Sequence, residues 1–252
     1  MAYRLWILPW DMVSQQSPDR CELAGVVDDE TFIRFREKFH IDDPLEQIEL
    51  FEEAFRSGDV NAPPSAFRDY VEQYSGTFTK MMPSFILTRA SLDTLEGLIN
   101  EGGSSKETLE RLKRAVETSR HGVIAVGFDM VPDESKKYSI SGTLEAPKGC
   151  YLIWFEELDS VTKDDLLGWQ WVSGEHRDFK VTYDEGDFKG DIDDFLDGKP
   201  ELGLKVFRWN GTGFDPVDRC EKTSKVRVKE EVTIRISEDG KLEVAGDGWK
   251  CG

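Results

Sequence analysis

Histidine is scarce in this chain, with three in 252 residues, and cysteine is nearly so, with four. The cysteines (Cys21, Cys150, Cys220 and Cys251) show no Cys-x-x-Cys spacing. That excludes the common zinc and dithiol motifs, and in a chain of this length it reads as reduced thiols rather than a disulfide framework. His40, His121 and His176 sit in unrelated surroundings, so no Cys/His or Ser/His pairing stands out. A Gly-x-Ser-x-Gly elbow, a P-loop and a dinucleotide fingerprint are all absent, and with them the usual signatures of acyl, phosphoryl and hydride transfer. No apolar run reaches the roughly 18 residues of a membrane helix. The apolar start, Met1 to Trp10, lacks a basic leader and a cleavage site, so a cytoplasmic protein without a signal peptide is expected.

Basic charge is also in short supply: 32 Lys and Arg stand against 50 Asp and Glu, a formal net charge of −18. Such a surface repels phosphate backbones and anionic lipid, and it attracts basic proteins or cations. Direct nucleic-acid and membrane partners are therefore not expected. Aromatics are plentiful, at 11% with seven Trp, which separates the chain from disordered acidic proteins and predicts a packed core.

The residue pattern changes near residue 122. After one strand at about Ala2 to Leu8, helical signals dominate. Asp28 is placed to cap a helix carrying Phe32, Phe35 and Phe39. Asp43 with Pro44 starts another, with Leu45, Ile48, Phe51 and Phe55 as its inward stripe and Gly58 as its stop. A third is expected from Ser65 to Gly76, then a short strand over Phe85 to Thr88. A helix capped by Ser91 follows, and Ser104 with Glu107 forms a capping-box pattern for the next, which His121-Gly122 closes.

Beyond that point strands prevail. Val123 to Phe128 and Cys150 to Phe155 are continuous apolar runs, as in central strands covered on both faces. Lys137 to Leu144, Phe179 to Tyr183, Leu204 to Trp209 and an alternating Val232 to Ile236 hairpin add to them, with short helices over Lys163 to Leu167 and around Asp191 to Leu196. The fold expected is α+β: a helix-rich N-terminal half, after one N-terminal strand, packed on a mixed or antiparallel sheet formed mainly by the C-terminal half. No linker composition divides it, so residues 1–252 read as a single domain, with a possible subdivision into a mostly helical 1–121 and a mostly β 122–252.

The densest acidic stretch holds Asp184, Glu185, Asp187, Asp191, Asp193, Asp194 and Asp197, with Phe188 among the interleaved aromatics. Apolar anchors ringed by like charge suit recognition of a basic protein, the anchors supplying dry contact and the charges a fast encounter. A helix-loop-helix calcium site does not fit: counting from Asp187 puts Lys189 at position 3, and counting from Asp191 puts Phe195 at position 5. A second acidic region, Asp42, Asp43, Glu46, Glu49, Glu52 and Glu53, forms the wet side of the helix over residues 44–57. Together the two regions could present a nucleic-acid-like negative face.

The sequence carries one enzymatic alternative. The two apolar strands run into Asp129 and into Glu156-Glu157, and carboxylates beyond the ends of parallel central strands can converge on a divalent cation. Lys180, in Asp178-Phe-Lys180 downstream of Pro132-Asp133, would support the attacking hydroxide, although Asp187-x-Lys189, Asp197-x-Lys199 and Asp239-x-Lys241 match as well. The leading expectation is a soluble acidic interaction protein, inhibitor-, immunity- or adaptor-like, binding a basic partner without metal or cofactor. The alternative is a magnesium- or manganese-dependent hydrolase. A third reading makes Trp6 and Trp10 interface residues of a larger assembly, and nothing in the sequence specifies an oligomeric state.

Overall fold

The computed structural model describes residues 1–12, 18–19, 21–77, 82–158, 164–174, 176–184, 187, 202–224 and 226–252. Its contacts divide the chain into two compact units: Met1–Val131 with Asn210–Gly213, and Pro132–Trp209 with Phe214–Gly252. The change in residue pattern at 122 marks the start of a strand that belongs wholly to the first unit.

In the first unit, β1 (Ala2–Leu8), β2 (Glu22–Asp28), β3 (Ser84–Thr88) and β4 (Val123–Met130) form an antiparallel sheet in the order β2-β1-β4-β3. The five α-helices of the described residues are α1 (Asp29–Lys38), α2 (Pro44–Ser57), α3 (Pro64–Thr77), α4 (Leu92–Asn100) and α5 (Lys106–Glu117). Alternation along the strands sends Tyr3, Phe85 and Phe128 to one face, where Phe32 and Phe35 of α1 stack on them. The helix-rich half therefore carries its own sheet. Strand exceeds helix, 42% against 27%, and the described residues form three sheets. This corrects the expectation of helices laid on one C-terminal sheet. Strand β2, which lacks a clean apolar alternation, was the element missing from that expectation.

Edge strand β2 is closed by α5 rather than left open to pairing. Thr108 donates to the Val26 carbonyl and Arg111 to that of Ala24. The helix approaches so closely that a Cβ at Gly25, which has φ +147°, would overlap the Thr108 hydroxyl. The capping box expected at Ser104 does not form: Ser104 and Ser105 both donate their hydroxyls to Asp28 Oδ2, at 3.1 and 3.2 Å.

Asp28 thus ties three elements, since its Oδ1 also caps α1 by accepting from Thr31 N at 2.8 Å. The backbone hydrogen bond from Thr31, helped by the hydroxyls of Thr31, Ser104 and Ser105, lowers its pKa. A carboxyl lowered in the folded state contributes stability above its unfolded pKa and loses it as pH falls through the folded value. Asp28→Ala is expected to cost about 1 kcal/mol at neutral pH. The gap to wild type should close as pH drops through and below the ordinary carboxylate range, as read from urea midpoints across pH.

The second unit is a two-sheet sandwich. Its antiparallel sheet has the order β13-β10-β9-β6-β7. The strands are β6 (Cys150–Glu157), β7 (Asp165–Ser173), β9 (Leu202–Trp209), β10 (Phe214–Lys222) and β13 (Trp249–Cys251). The facing sheet, β12-β11-β5-β8, joins β5 (Tyr138–Glu145), β8 (Asp178–Tyr183), β11 (Lys229–Ile236) and β12 (Leu242–Ala245), with β5 and β11 parallel. Ile153, Phe155, Leu204 and Val206 of one sheet meet Ile140, Phe179, Val232 and Ile234 of the other in the core. The helix expected over 163–167 is not formed: Leu166 and Leu167 lie in β7. The short helix expected around Asp191 to Leu196 lies outside the described residues.

Polar clasps close the sandwich at its corners. Gln170 of β7 donates Nε2 to the Asp178 carbonyl and accepts from Lys180 N, so its amide stands in for a neighbouring strand along β8. At another corner Lys222 of β10 reaches Glu230 of β11 and donates to the Asp247 carbonyl at 2.6 Å.

Cys220 and Cys251, directly opposite on β10 and β13, form a disulfide, which corrects the expectation of four reduced thiols. Cys21 and Cys150 are buried thiols. Sequence spacing could not show this, because the pairing depends on where the final strand docks. Closing a loop of 31 residues stabilises a fold by about 3–4 kcal/mol in the chain-entropy model. Reduction is expected to lower the thermal midpoint of this protein by several degrees and to leave a Cys220→Ser/Cys251→Ser variant insensitive to reductant.

Candidate functional site

Two of the acidic residues proposed to bind a partner are described, and both are engaged within the fold. Strand β8 delivers the chain to Asp184, whose Oδ1 accepts from Lys137 N at 2.7 Å. Asp187 Oδ2 accepts from Asp184 N at 2.7 Å and pairs with Lys136 Nζ at 2.8 Å. The pair of aspartates closes a turn against the start of β5. Glu185, Phe188, Asp191, Asp193, Asp194 and Asp197 lie outside the described residues.

The carboxylates of the hydrolase alternative do not share a sheet. Asp129 is on β4 of the first unit, and Glu156 and Glu157 are on β6 of the second. No common strand edge gathers them, so the premise of that arrangement is corrected. Asp129 is fully buried and accepts from Arg4 Nε at 2.5 Å and from Trp6 Nε1 at 2.9 Å. Glu156 accepts from Trp154 Nε1 at 2.7 Å and pairs with Lys205 at 2.7 Å. Glu157 is buried opposite Asp165 in the β6–β7 pairing. Lys180 spends its ammonium on Glu134, at 2.5 Å. Each of Asp129, Glu156 and Lys180 thus meets an opposite charge that the chain supplies itself. Among the described residues no group of three or more His, Cys, Asp or Glu is arranged to hold a metal ion.

The aromatic candidates are structural. Trp6 and Trp10 are buried, which removes the exposed tryptophans required by an N-terminal interface. Trp169 stacks on Trp154 at 5.4 Å, and Trp171 packs on Phe214 at 5.1 Å. His176 is exposed and His121 is buried with Nδ1 3.2 Å from the Asn61 carbonyl. The sequence Asp-Arg-Cys-Glu occurs twice, at residues 19–22 and 218–221; Cys220 is disulfide-bonded, whereas Cys21 is a buried thiol.

Helix α2 holds what the sequence did not show. Its inward stripe is Gln47, Phe51 and Ala54, with Gln47 donating to the Phe39 carbonyl at 3.2 Å. Leu45, expected inside, is 73% exposed, Phe55 is 43% exposed and Leu50 is 42% exposed. At about 100° per residue the expected stripe spans an arc of about 120°, and the buried Gln47, Phe51 and Ala54 lie at and beyond its Phe51 edge, which leaves Leu45 at the other edge facing solvent. Glu49 follows Leu45 by four positions and Glu53 follows Leu50 by three, so they flank the two leucines, while Asp42 and Asp43 precede the helix; all four carboxylates are exposed. Asp42 pairs with Arg36 at 2.7 Å and Glu52 with Arg68. Glu49 and Glu53 have no ion-pair partner among the described residues.

No protein-family model matches the chain, and no curated protein matches it. Among solved structures it is similar to a 9R-lipoxygenase from Cyanothece PCC8801, at 13% identity over 58% of this chain and 22% of that one, with a TM-score of 0.29. It is also similar to a structure named "Trapped Toxin", at 10% identity over 56% of this chain and 34% of that one, with a TM-score of 0.20. Likenesses at these scores carry no argument about fold or function.

Proposed function

We propose that this is an acidic interaction protein that binds a basic protein partner, in the manner of an inhibitor, immunity or adaptor module. The observation that supports it is the exposure of Leu45 and Leu50 on α2 beside the carboxylates of Glu49 and Glu53, in a chain of net charge −18. Exposed apolar side chains inside a field of one sign combine desolvated contact with electrostatic steering. A surface of that sign suits neither a phosphate backbone nor an anionic bilayer. No helix among the described residues is long and apolar enough to cross a membrane.

The test is capture from native lysate on the tagged full chain, washed at about 0.15 M and then about 1 M salt. One basic protein retained at fixed stoichiometry supports the proposal. A mixture of basic proteins released together reduces the charge to a nonspecific surface property and overturns it. The Cys220–Cys251 bridge bears on the compartment, because a reducing cytosol would open it. Thiol alkylation of the protein from its own cells distinguishes a cytoplasmic location, with all four cysteines modified, from an oxidising one.

The hydrolase alternative gains no observation. Because Asp129 and Glu156 already face Arg4 and Lys205, magnesium or manganese is expected to leave the thermal midpoint unchanged. A rise of several degrees that disappears in Glu156→Gln would revive that reading.

A further inference from the structure

Beside the exposed face of α2 lies a groove of about 400 Å³ in the first unit. Its walls are the end of α1, the Leu50–Ser57 side of α2 and the turn from β3 into α4. Phe39 and Ala54 are buried within this wall, and Leu50 is partly exposed along it. Glu53 and Asp59 line the same groove, with Lys38 at the end of α1. The Asp59 carboxylate accepts from Ser57 Oγ at 2.7 Å. Glu49 precedes Glu53 by one helical turn, so the two carboxylates stand in a row next to Leu50. Leu50 and the unpaired acid row are thus adjacent on α2, in a groove whose lining also includes the hydroxyl residues Ser57, Thr88, Ser91 and Thr94.

We infer that this groove receives an amphipathic basic segment of the partner protein. An aliphatic side chain of the segment seats against Leu50 and Ala90, the exposed apolar residues of the lining, and Lys or Arg residues one turn away meet Glu49 and Glu53. The assignment rests on the basic-partner reading above and adds the place of contact and the chemistry of the segment. Charge complementarity selects the occupant: a second copy of this chain would bring like charge to the acid row, and an acidic or neutral helix would leave Glu49 and Glu53 without counterions. The exposed Leu50 and Ala90 distinguish the groove from the merely acidic parts of the surface, because they reward a segment whose Lys and Leu alternate at helical spacing over a uniformly basic one.

The probe is a synthetic amphipathic Lys/Leu peptide in which one leucine is replaced by photo-leucine, titrated into the full chain and then cross-linked. A Lys/Gln peptide of equal charge is its control. Two charge-reversal pairs of equal net change separate place from charge: Glu49→Lys/Glu53→Lys on α2, and Glu231→Lys/Glu238→Lys on exposed positions of the second unit. Leu50→Gln tests the apolar contact, and circular dichroism checks that each variant keeps its secondary structure. Expected are cross-links within residues 38–59 and 88–94, weaker binding of the Lys/Gln peptide, and a loss of about tenfold or more in affinity for the α2 pair. The distant pair should lose less than about threefold.

Cross-links concentrated in residues 184–201, or equal losses from the two pairs, would overturn the groove while leaving the basic-partner reading intact. Absence of binding by the wild-type chain even at low salt would overturn both.

Discussion

Replacing Gly142 with alanine is expected to destabilise the second unit by about 3 kcal/mol or more. Gly142 sits in β5 between the parallel strand β11, where it faces Val232, and the antiparallel strand β8, where it faces Phe179. A Cβ there would overlap the Val232 carbonyl oxygen and come within 3.0 Å of the Phe179 ring. A carbonyl in a strand ladder cannot yield without breaking its neighbours' hydrogen bonds, and Phe179 is already packed at 6.0 Å from Phe155 in the core. The sandwich would have to pull β5 and β11 apart to admit one methyl group. A chemical denaturation midpoint close to wild type in Gly142→Ala would show that β5 and β11 are not paired in this register.

Removing the Lys222 ammonium is expected to have an effect of similar size. Lys222 has 0% exposure and Glu230 has 3%, and the two join the facing sheets. Lys222→Met would leave the Glu230 carboxylate buried with its backbone donor Arg227 N but without its counter-charge, and the Asp247 carbonyl would lose its 2.6 Å donor. Breaking a buried pair from one side costs about 3–5 kcal/mol, whereas replacing both partners with apolar groups of similar size is often close to neutral. Lys222→Met/Glu230→Leu should therefore recover a large fraction of the loss in Lys222→Met, less the cost of the donors left at Arg227 and Asp247. Additive losses in the double variant would show that the two side chains do not act as a pair.

What could be read from the residues was local. The caps at Asp28 and Asp43-Pro44, the stop at Gly58 and the fully buried runs of β4 and β6 appear where pattern places them, because each depends on neighbours a few positions away. Elements were missed where the decisive contact is distant. Strand β2 owes its place to β1 on one side and to Thr108 and Arg111 of α5 on the other. Strand β10 contains Pro216 and alternating charges, which obscure an apolar rhythm, and it is held by β9 and by the disulfide to β13. Two polar side chains owe their roles to equally distant partners: Gln47 turns inward to the Phe39 carbonyl, and Gln170 supplies the missing strand edge of β8.

The candidate site was legible in kind and not in place. Net charge pointed to a basic partner, and the acid-rich stretch after Tyr183 was the obvious location. In the structure Asp184 and Asp187 of that stretch are bound up with Lys136 and the Lys137 backbone. The exposed apolar side chains lie instead on α2, where an apparent inward stripe of Leu45, Ile48, Phe51 and Phe55 concealed them. Distinguishing the faces of that helix required knowing that its Phe51 side packs on Phe67 of α3 and that Gln47 reaches back to the Phe39 carbonyl.

The claim that charge governs what this protein binds is tested most directly by association kinetics with the captured partner, measured by stopped flow from about 0.02 M to about 0.5 M salt. The account expects the association rate to fall by about tenfold or more across that range while the dissociation rate changes little, because steering acts on encounter and the apolar contact on escape. An association rate indifferent to salt would contradict it.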